Sequence, residues 1–172
     1  MMISDEKIQM ILSLQQSAID LGNPPFAAVI LADNQVIAAS HNRSRSSGNP
    51  LEHAEMAAIQ SAIQHYDAKI LTRAHLISSN EPCPMCIGAC IWSGIPEVTY
   101  YISQEQVEAI RGWGRFMPAK SIAEADDSGI VIHGPIANEE MLKLHQDFWS
   151  TGSNALQKHS IHLPEEKTNL GK

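Results

Sequence analysis

Residues 73–102 read RAHLISSNEPCPMCIGACIWSGIPEVTYYI, and this stretch decides the fold class. Arg73 to Ser78 is a short apolar run with the character of a strand. Cys83 to Ser93 reads as a helix, stopped by Gly94 close to Pro96. Glu97 to Ile102 is the next strand. Strand, helix and strand thus follow one another within thirty residues.

The flanks continue the alternation. Upstream, Ile3 to Leu21 carries Ile8, Ile11, Leu12, Ala18 and Ile19 as an apolar stripe. Ser4 is its expected N-cap, Asp5 and Glu6 favour the helix dipole, and Ile3 with Ile8 has the spacing of a hydrophobic staple. Gly22-Asn23-Pro24-Pro25 ends this helix. Phe26 to Leu31 and Val36 to Ser40, joined by Asp33-Asn34, read as a hairpin. A polar loop, His41 to Pro50, leads to a helix over Glu52 to His65, with Met56, Ala57, Ile59 and Ile63 available for packing. Downstream come a helix over Gln104 to Ile110, an irregular loop over Arg111 to Ala119, a strand over Ile130 to His133 and a helix over Asn138 to Trp149. The expected architecture is α/β, a three-layer α/β/α sandwich with a mixed central sheet. Residues 1–150 form one domain, and 151–172 form a polar tail or an arm that spans to a second subunit.

The chain has 172 residues, enough for one domain with a sizeable core. Its formal charge of -7 counts against a nucleic-acid partner, although Arg43, Arg45, Arg111 and Arg115 could still form a local basic patch. The first seven residues lack the basic and apolar segments of a secretory signal, and no run is long enough to span a membrane, so a cytoplasmic protein is expected. All three cysteines, Cys83, Cys86 and Cys90, fall within eight residues. An odd and clustered set points to metal binding rather than to disulfides.

Two short motifs carry the chemistry: His53-Ala54-Glu55 and Pro82-Cys83-Pro84-Met85-Cys86. H-x-E followed by P-C-x-x-C is a signature of zinc deaminases. Cys83 and Cys86 sit one turn apart at a helix start, where the backbone N–H groups stabilise thiolates. His53 opens the other helix and offers a third ligand. Three protein ligands leave one position for water, which marks a catalytic rather than a structural zinc site. Glu55 follows His53 closely enough to serve that water without binding the metal, and its expected work is proton transfer. Cys90 is the alternative fourth ligand of a structural site, but Ala89-Cys90-Ile91-Trp92 reads as packed core.

On these residues the chain resembles the cytidine deaminase-like superfamily, within its nucleobase and transfer-RNA deaminase branch. The resemblance extends over about residues 5 to 150. Pro25 to Ile30 is similar to the first strand of that branch, His41-Asn42-Arg43 to its substrate loop, and Glu81 to Ala89 to its E-P-C-x-M-C-x-G-A block. Ile91-Trp92-Ser93-Gly94-Ile95 is similar to members described as guanine deaminases. The resemblance implies that Asn42 hydrogen-bonds the base, that Phe26 lines the pocket and stacks on the ring, that the Ala54 backbone N–H contacts the base, and that Trp92 walls the pocket. The alternative for Asn42 is a turn residue, Phe26 could equally be core, and for Trp92 core packing is the stronger expectation. The resemblance also implies a homodimer. One stretch departs from the pattern: Val107 to Phe116 has no aspartate and carries Arg111 and Arg115. A guanidinium only donates hydrogen bonds where a carboxylate only accepts them, so an acceptor-rich ring or a phosphate could face this loop, unless the loop faces solvent. His41, His65, His75, His133 and His145 show no partner pattern.

The expected activity is zinc-dependent hydrolytic deamination of a small heterocyclic amine, guanine-like first. Transfer-RNA adenosine deamination by the same chemistry is the alternative within the class, and a non-catalytic zinc module is the alternative outside it. A redox C-x-x-C pair explains neither His53 nor Glu55.

Overall fold

The structure is a computed structural model that describes residues 3–114 and 117–151. Residues 115, 116 and 152–172 lie outside it, and with them Arg115, Phe116 and the expected C-terminal arm. The elements in chain order are α1 (Asp5–Asp20), β1 (Ala27–Ala32), β2 (Gln35–His41), α2 (Ala54–His65), α3 (Ala68–Leu71), β3 (Ala74–Asn80), α4 (Pro84–Ser93), β4 (Glu97–Ile102), α5 (Gln104–Arg111), α6 (Ala119–Ala125), β5 (Val131–His133) and α7 (Glu139–Ser150).

The sheet has the order β2-β1-β3-β4-β5. β1 runs antiparallel to both β2 and β3, while β3, β4 and β5 are mutually parallel. The mixed sheet follows from the connections. Asp33 and Asn34 both take positive φ, 50° and 64°, which is the geometry of a tight hairpin turn and reverses the chain at once. The later strands are joined through helices, which return the chain to start again in the same direction.

The two-residue period of β1 separates two cores. Ala28 and Ile30 face one side, where α2, α4 and α6 pack with Ala58, Cys90 and Ala123 among the contacts. Ala27, Val29 and Leu31 face the other, where α1, α5 and α7 contribute Ile11, Val107 and Met141. Both faces of β1 and β3 are therefore covered and every residue of these two strands is buried, which confirms the three-layer expectation. Ile63 departs from the packing expected of it: it is 51% exposed on the outer face of α2. The short helices α3 and α6 were not legible in sequence, because neither is long enough to show a period.

Two buried polar residues tie the helices to the sheet. Glu81, just past β3, accepts from the Gln104 N–H at 3.0 Å and from the Ala119 N–H at 2.8 Å. One carboxylate thus serves unpaired donors at the starts of both α5 and α6. His145 of α7 is fully buried, donates from Nε2 to Asn80 Oδ1 at 3.0 Å, and accepts at Nδ1 from Trp149 Nε1 at 3.4 Å. That pairing requires the neutral ring, and burial together with the nearby Arg111 charge lowers its pKa to about 3.

Glu81→Ala is expected to lose about 3 kcal/mol of stability in urea unfolding, because it strands two helix-start donors, one of them on the fully buried Ala119. For His145 the unfolded chain binds the extra proton first. Its contribution is present above the unfolded pKa and falls away as pH drops from about 6.5 towards 3, by about 1.4 kcal/mol per pH unit. The stability difference between wild type and His145→Asn should therefore narrow over that window, read from urea midpoints at pH 7, 6 and 5.

Candidate active site

The starts of α2 and α4 converge. His53 is the N-cap of α2 and Cys83 the N-cap of α4, each in extended backbone just before its first helical residue. Pro84 at the first position of α4 costs the helix no hydrogen bond and holds the entry angle. One turn on, Cys86 comes round to the same side. His53 Nδ1 lies 3.6 Å from Cys83 Sγ and 3.6 Å from Cys86 Sγ, and the two sulfurs are 3.6 Å apart. Tetrahedral zinc with bonds of about 2.3 Å to sulfur and 2.0 Å to nitrogen needs edges of about 3.8 Å between sulfurs and about 3.6 Å between sulfur and nitrogen. The three donors fit zinc, and among the described residues they are the one group of metal-ligating side chains that converges in this way.

Electrostatics point the same way. The Cys83 thiol is held down at about 4, first by its hydrogen bond with Cys86 and, against the effect of burial, by His53. Cys86 is pushed well above the ordinary thiol range by that same hydrogen bond, by burial and by the Glu55 charge. A zinc ion held there would take both sulfurs as thiolates, so its binding would release protons. Burial disfavours the His53 cation, but the hydrogen bond with Cys83 and the Glu55 charge outweigh it and raise the His53 pKa.

Glu55 stands beside this cluster and is buried. Its Oε1 accepts from Ser78 Oγ at 3.0 Å, and its Oε2 lies 3.5 Å from Cys86 Sγ. Burial raises its pKa against the pull of the His53 charge. Ser78 reaches it from β3, a support that no sequence spacing announces. Ala54 opens α2 and is fully buried.

The remaining expected residues fall into place unequally. Asn42 is buried at the end of β2, where its Oδ1 accepts from the N–H and the hydroxyl of Ser44 at 3.0 and 2.8 Å, so it does build a turn. Its own N–H donates to the Phe26 carbonyl at 2.9 Å, which ties the two residues together. Phe26 is half-buried and tilted against the His145 ring, with centroids 5.3 Å apart. Trp92 requires a correction: it is 93% exposed on α4 and walls no pocket within this chain, nor is it core. It misleads because the apolar run Ile91-Trp92 straddles two faces of one helix, and only its neighbours decide which is covered. Cys90 is fully buried in the core and outside the three-donor group.

Other neighbours were not legible in sequence. The buried Asn23 accepts at Oδ1 from the Arg45 and Ser46 N–H groups, both at 3.0 Å, and so shapes the loop carrying Asn42. Trp149 meets Phe148 and Trp113 edge-on, with centroids 4.8 and 6.1 Å apart. Arg45 and Arg111 lie 5.5 and 5.9 Å from the Trp149 ring. Among the described residues no helix is long and apolar enough to cross a membrane.

Several known proteins with similar sequences are named deaminases. A probable cytosine deaminase of Schizosaccharomyces pombe is 29% identical over 82% of this chain and 89% of its own. A guanine deaminase of Bacillus subtilis is 38% identical over 52% of this chain, and the match spans 56% of that enzyme. Bacterial transfer-RNA-specific adenosine deaminases also match. Among solved structures, a guanine deaminase from Nitrosomonas europaea superposes with a TM-score of 0.69 at 26% identity, covering 86% of this chain and 85% of that one. Residues 2–102 match the cytidine and deoxycytidylate deaminase zinc-binding region, and with well over half of its 172 residues inside that match the chain belongs to this deaminase family.

Proposed function

We propose that the protein is a zinc-dependent aminohydrolase that releases ammonia from a small nucleobase-like heterocycle, with a guanine-like ring as the first candidate. The observation that carries this reading is the Glu55 carboxylate, buried, tethered by Ser78 and set 3.5 Å from a ligand sulfur without joining the three-donor cluster. A purely structural zinc site has no use for such a group.

His53, Cys83 and Cys86 would hold the metal. Zinc bound there supplies Lewis acidity and lowers the pKa of water into the neutral range. The rest belongs to the protein. Glu55 Oε1 is occupied by Ser78, so Oε2 is the atom that accepts a proton from the attacking water, delivers one to a ring nitrogen and protonates the departing amine. The balance is one water consumed, a ring carbonyl formed and one ammonia released. Phe26 presents a ring face for the base, and the Asn42 carboxamide and the Ala54 N–H, at the loop and helix start beside it, are its expected hydrogen-bonding partners. The negative charge of the chain and the guanine deaminases among its relatives support a small molecule over an RNA. The setting this reading carries is a cytoplasmic homodimer.

The test is ammonia release by zinc-loaded protein from guanine, adenine, cytosine, isocytosine, a pterin, a diaminotriazine and a transfer-RNA anticodon stem-loop. Glu55→Ala should cut turnover of the accepted ring by about 100-fold or more while metal analysis still finds one zinc per chain. Release from the RNA alone would replace the small-molecule reading, and turnover undiminished in Glu55→Ala would refute the role given to that residue. Dialysis against a strong chelator should abolish release, and added zinc should restore it; Cys83→Ser should not be restorable.

A further inference from the structure

Arg111, the last residue of α5, is only half-exposed, and its surroundings are arranged to hold it. Its guanidinium carbon lies 4.2 Å from the centre of the Trp113 ring and 5.9 Å from that of Trp149, and its Nε donates to the Trp113 carbonyl. Gly114 lies against its far end: a Cβ there would come within 2.9 Å of Arg111 Nη2 and 3.3 Å of Glu108 Cβ and Cδ.

Among the described residues, what the two terminal nitrogens of the guanidinium lack is an acceptor. Among the described residues no carboxylate oxygen comes within ion-pair distance of it, and its two terminal nitrogens have no hydrogen-bond partner. Glu108 is the one carboxylate whose charge favours it. Beneath it, Trp113 Nε1 is buried and also without a partner. Two donor groups thus share one aromatic patch, and among the described residues nothing accepts from the Arg111 terminal nitrogens or from Trp113 Nε1. A half-buried charge and a buried N–H left unpaired are both costly, and the cost is removed when an acceptor arrives.

The patch adjoins the candidate active site. The Arg111 charge acts on both His53 and His145, and the His145 ring lies tilted against Phe26 with centroids 5.3 Å apart. Trp149 links the patch to His145 by the hydrogen bond at 3.4 Å. In a chain of net charge -7, a cation held at the site by two indole rings is a placed feature of the binding surface.

We propose that Arg111, supported by Trp113 and positioned by Gly114, is a specificity residue that accepts an anionic substituent, carboxylate or phosphate, on the heterocycle to be deaminated. This rests on the small-heterocycle reading above and narrows it to acidic members of that class. A planar guanidinium offers paired donors that suit either group.

The experiment compares neutral and anionic members of matched pairs: pterin with pterin-6-carboxylate, cytosine with cytosine-5-carboxylate, and guanine with its nucleoside monophosphate. Dissociation constants come from calorimetry on the zinc-loaded protein, and KM and kcat from ammonia release. Wild type should bind the anionic member of at least one pair about tenfold more tightly or better, with the carboxylate and phosphate pairs telling the two sources apart. In Arg111→Gln that ratio should fall to near one; Arg111→Lys should recover part of it, and Gly114→Ala, which crowds the guanidinium, should lower it. Zinc content and melting temperature show whether each variant is folded, and Gly114→Ala carries the test if Arg111→Gln is not. No anion preference in any wild-type pair, or a preference that survives both Arg111→Gln and Gly114→Ala, overturns the inference while leaving deamination of a neutral ring standing. A preference that depends on Arg111 without ammonia release from any compound keeps the anion site and removes the proposed reaction instead.

Discussion

Three donor atoms mutually 3.6 Å apart set the terms for the rest of this structure. His53 and Cys83 are thirty residues apart in the chain and can meet only if two helices begin at one point. A helix starts where its first N–H groups are free, and those free groups favour negative charge. Two such starts facing each other suit a thiolate pair. The short polar loop before His53 is closed by Arg43, which bonds Glu52 through both backbone and side chain, at 3.0 and 3.2 Å. The metal-ligand geometry is therefore a consequence of where two helices are made to begin.

β3 carries much of the support. Its Ser78 holds Glu55, its Asn80 holds His145, and Glu81 just beyond it serves the starts of α5 and α6. These residues hold the layers in register as well as equip the site. Both sides of the strand are covered, so the polar groups on it look for partners inside the protein, and among the described residues only His75 Nδ1 and Asn80 Nδ2 on it find no hydrogen bond. The partners found are a proposed catalytic carboxylate, a histidine of the opposite layer and two helix starts. Support and chemistry are in this way built from the same short segment.

The end of the site proposed to meet substrate is more varied in composition. Phe26 and Asn42 come from the hairpin side, while Arg111, Trp113 and Trp149 come from the α5 and α7 side. The relatives of this chain include a probable cytosine deaminase, a guanine deaminase and transfer-RNA-specific adenosine deaminases. Here the surroundings include a guanidinium clasped by indoles, which only donates hydrogen bonds.

The sequence by itself determined the layered α/β fold and pointed to the three residues that converge as a possible metal site, because each is written locally. Periodicity within eight to sixteen residues specifies a helix or strand, and the spacing of Cys83 and Cys86 places both sulfurs on one side of a helix start. Even boundaries were nearly legible: Ser4 precedes α1 as its expected N-cap, and the helices read from Gln104 and Asn138 begin within one residue of α5 and α7. What only the tertiary structure decided depends on contacts between distant residues. Ser78 beneath Glu55, His145 against Asn80, Asn23 under the substrate loop and Arg111 between two tryptophans are separated from their partners along the chain or set by loop conformation, and no period or motif encodes them. Trp92 shows the same limit from the other direction. Its apolar surface marks it for burial, yet whether a helix face is covered depends on the elements packed against it, and on that face of α4 no described residue covers it.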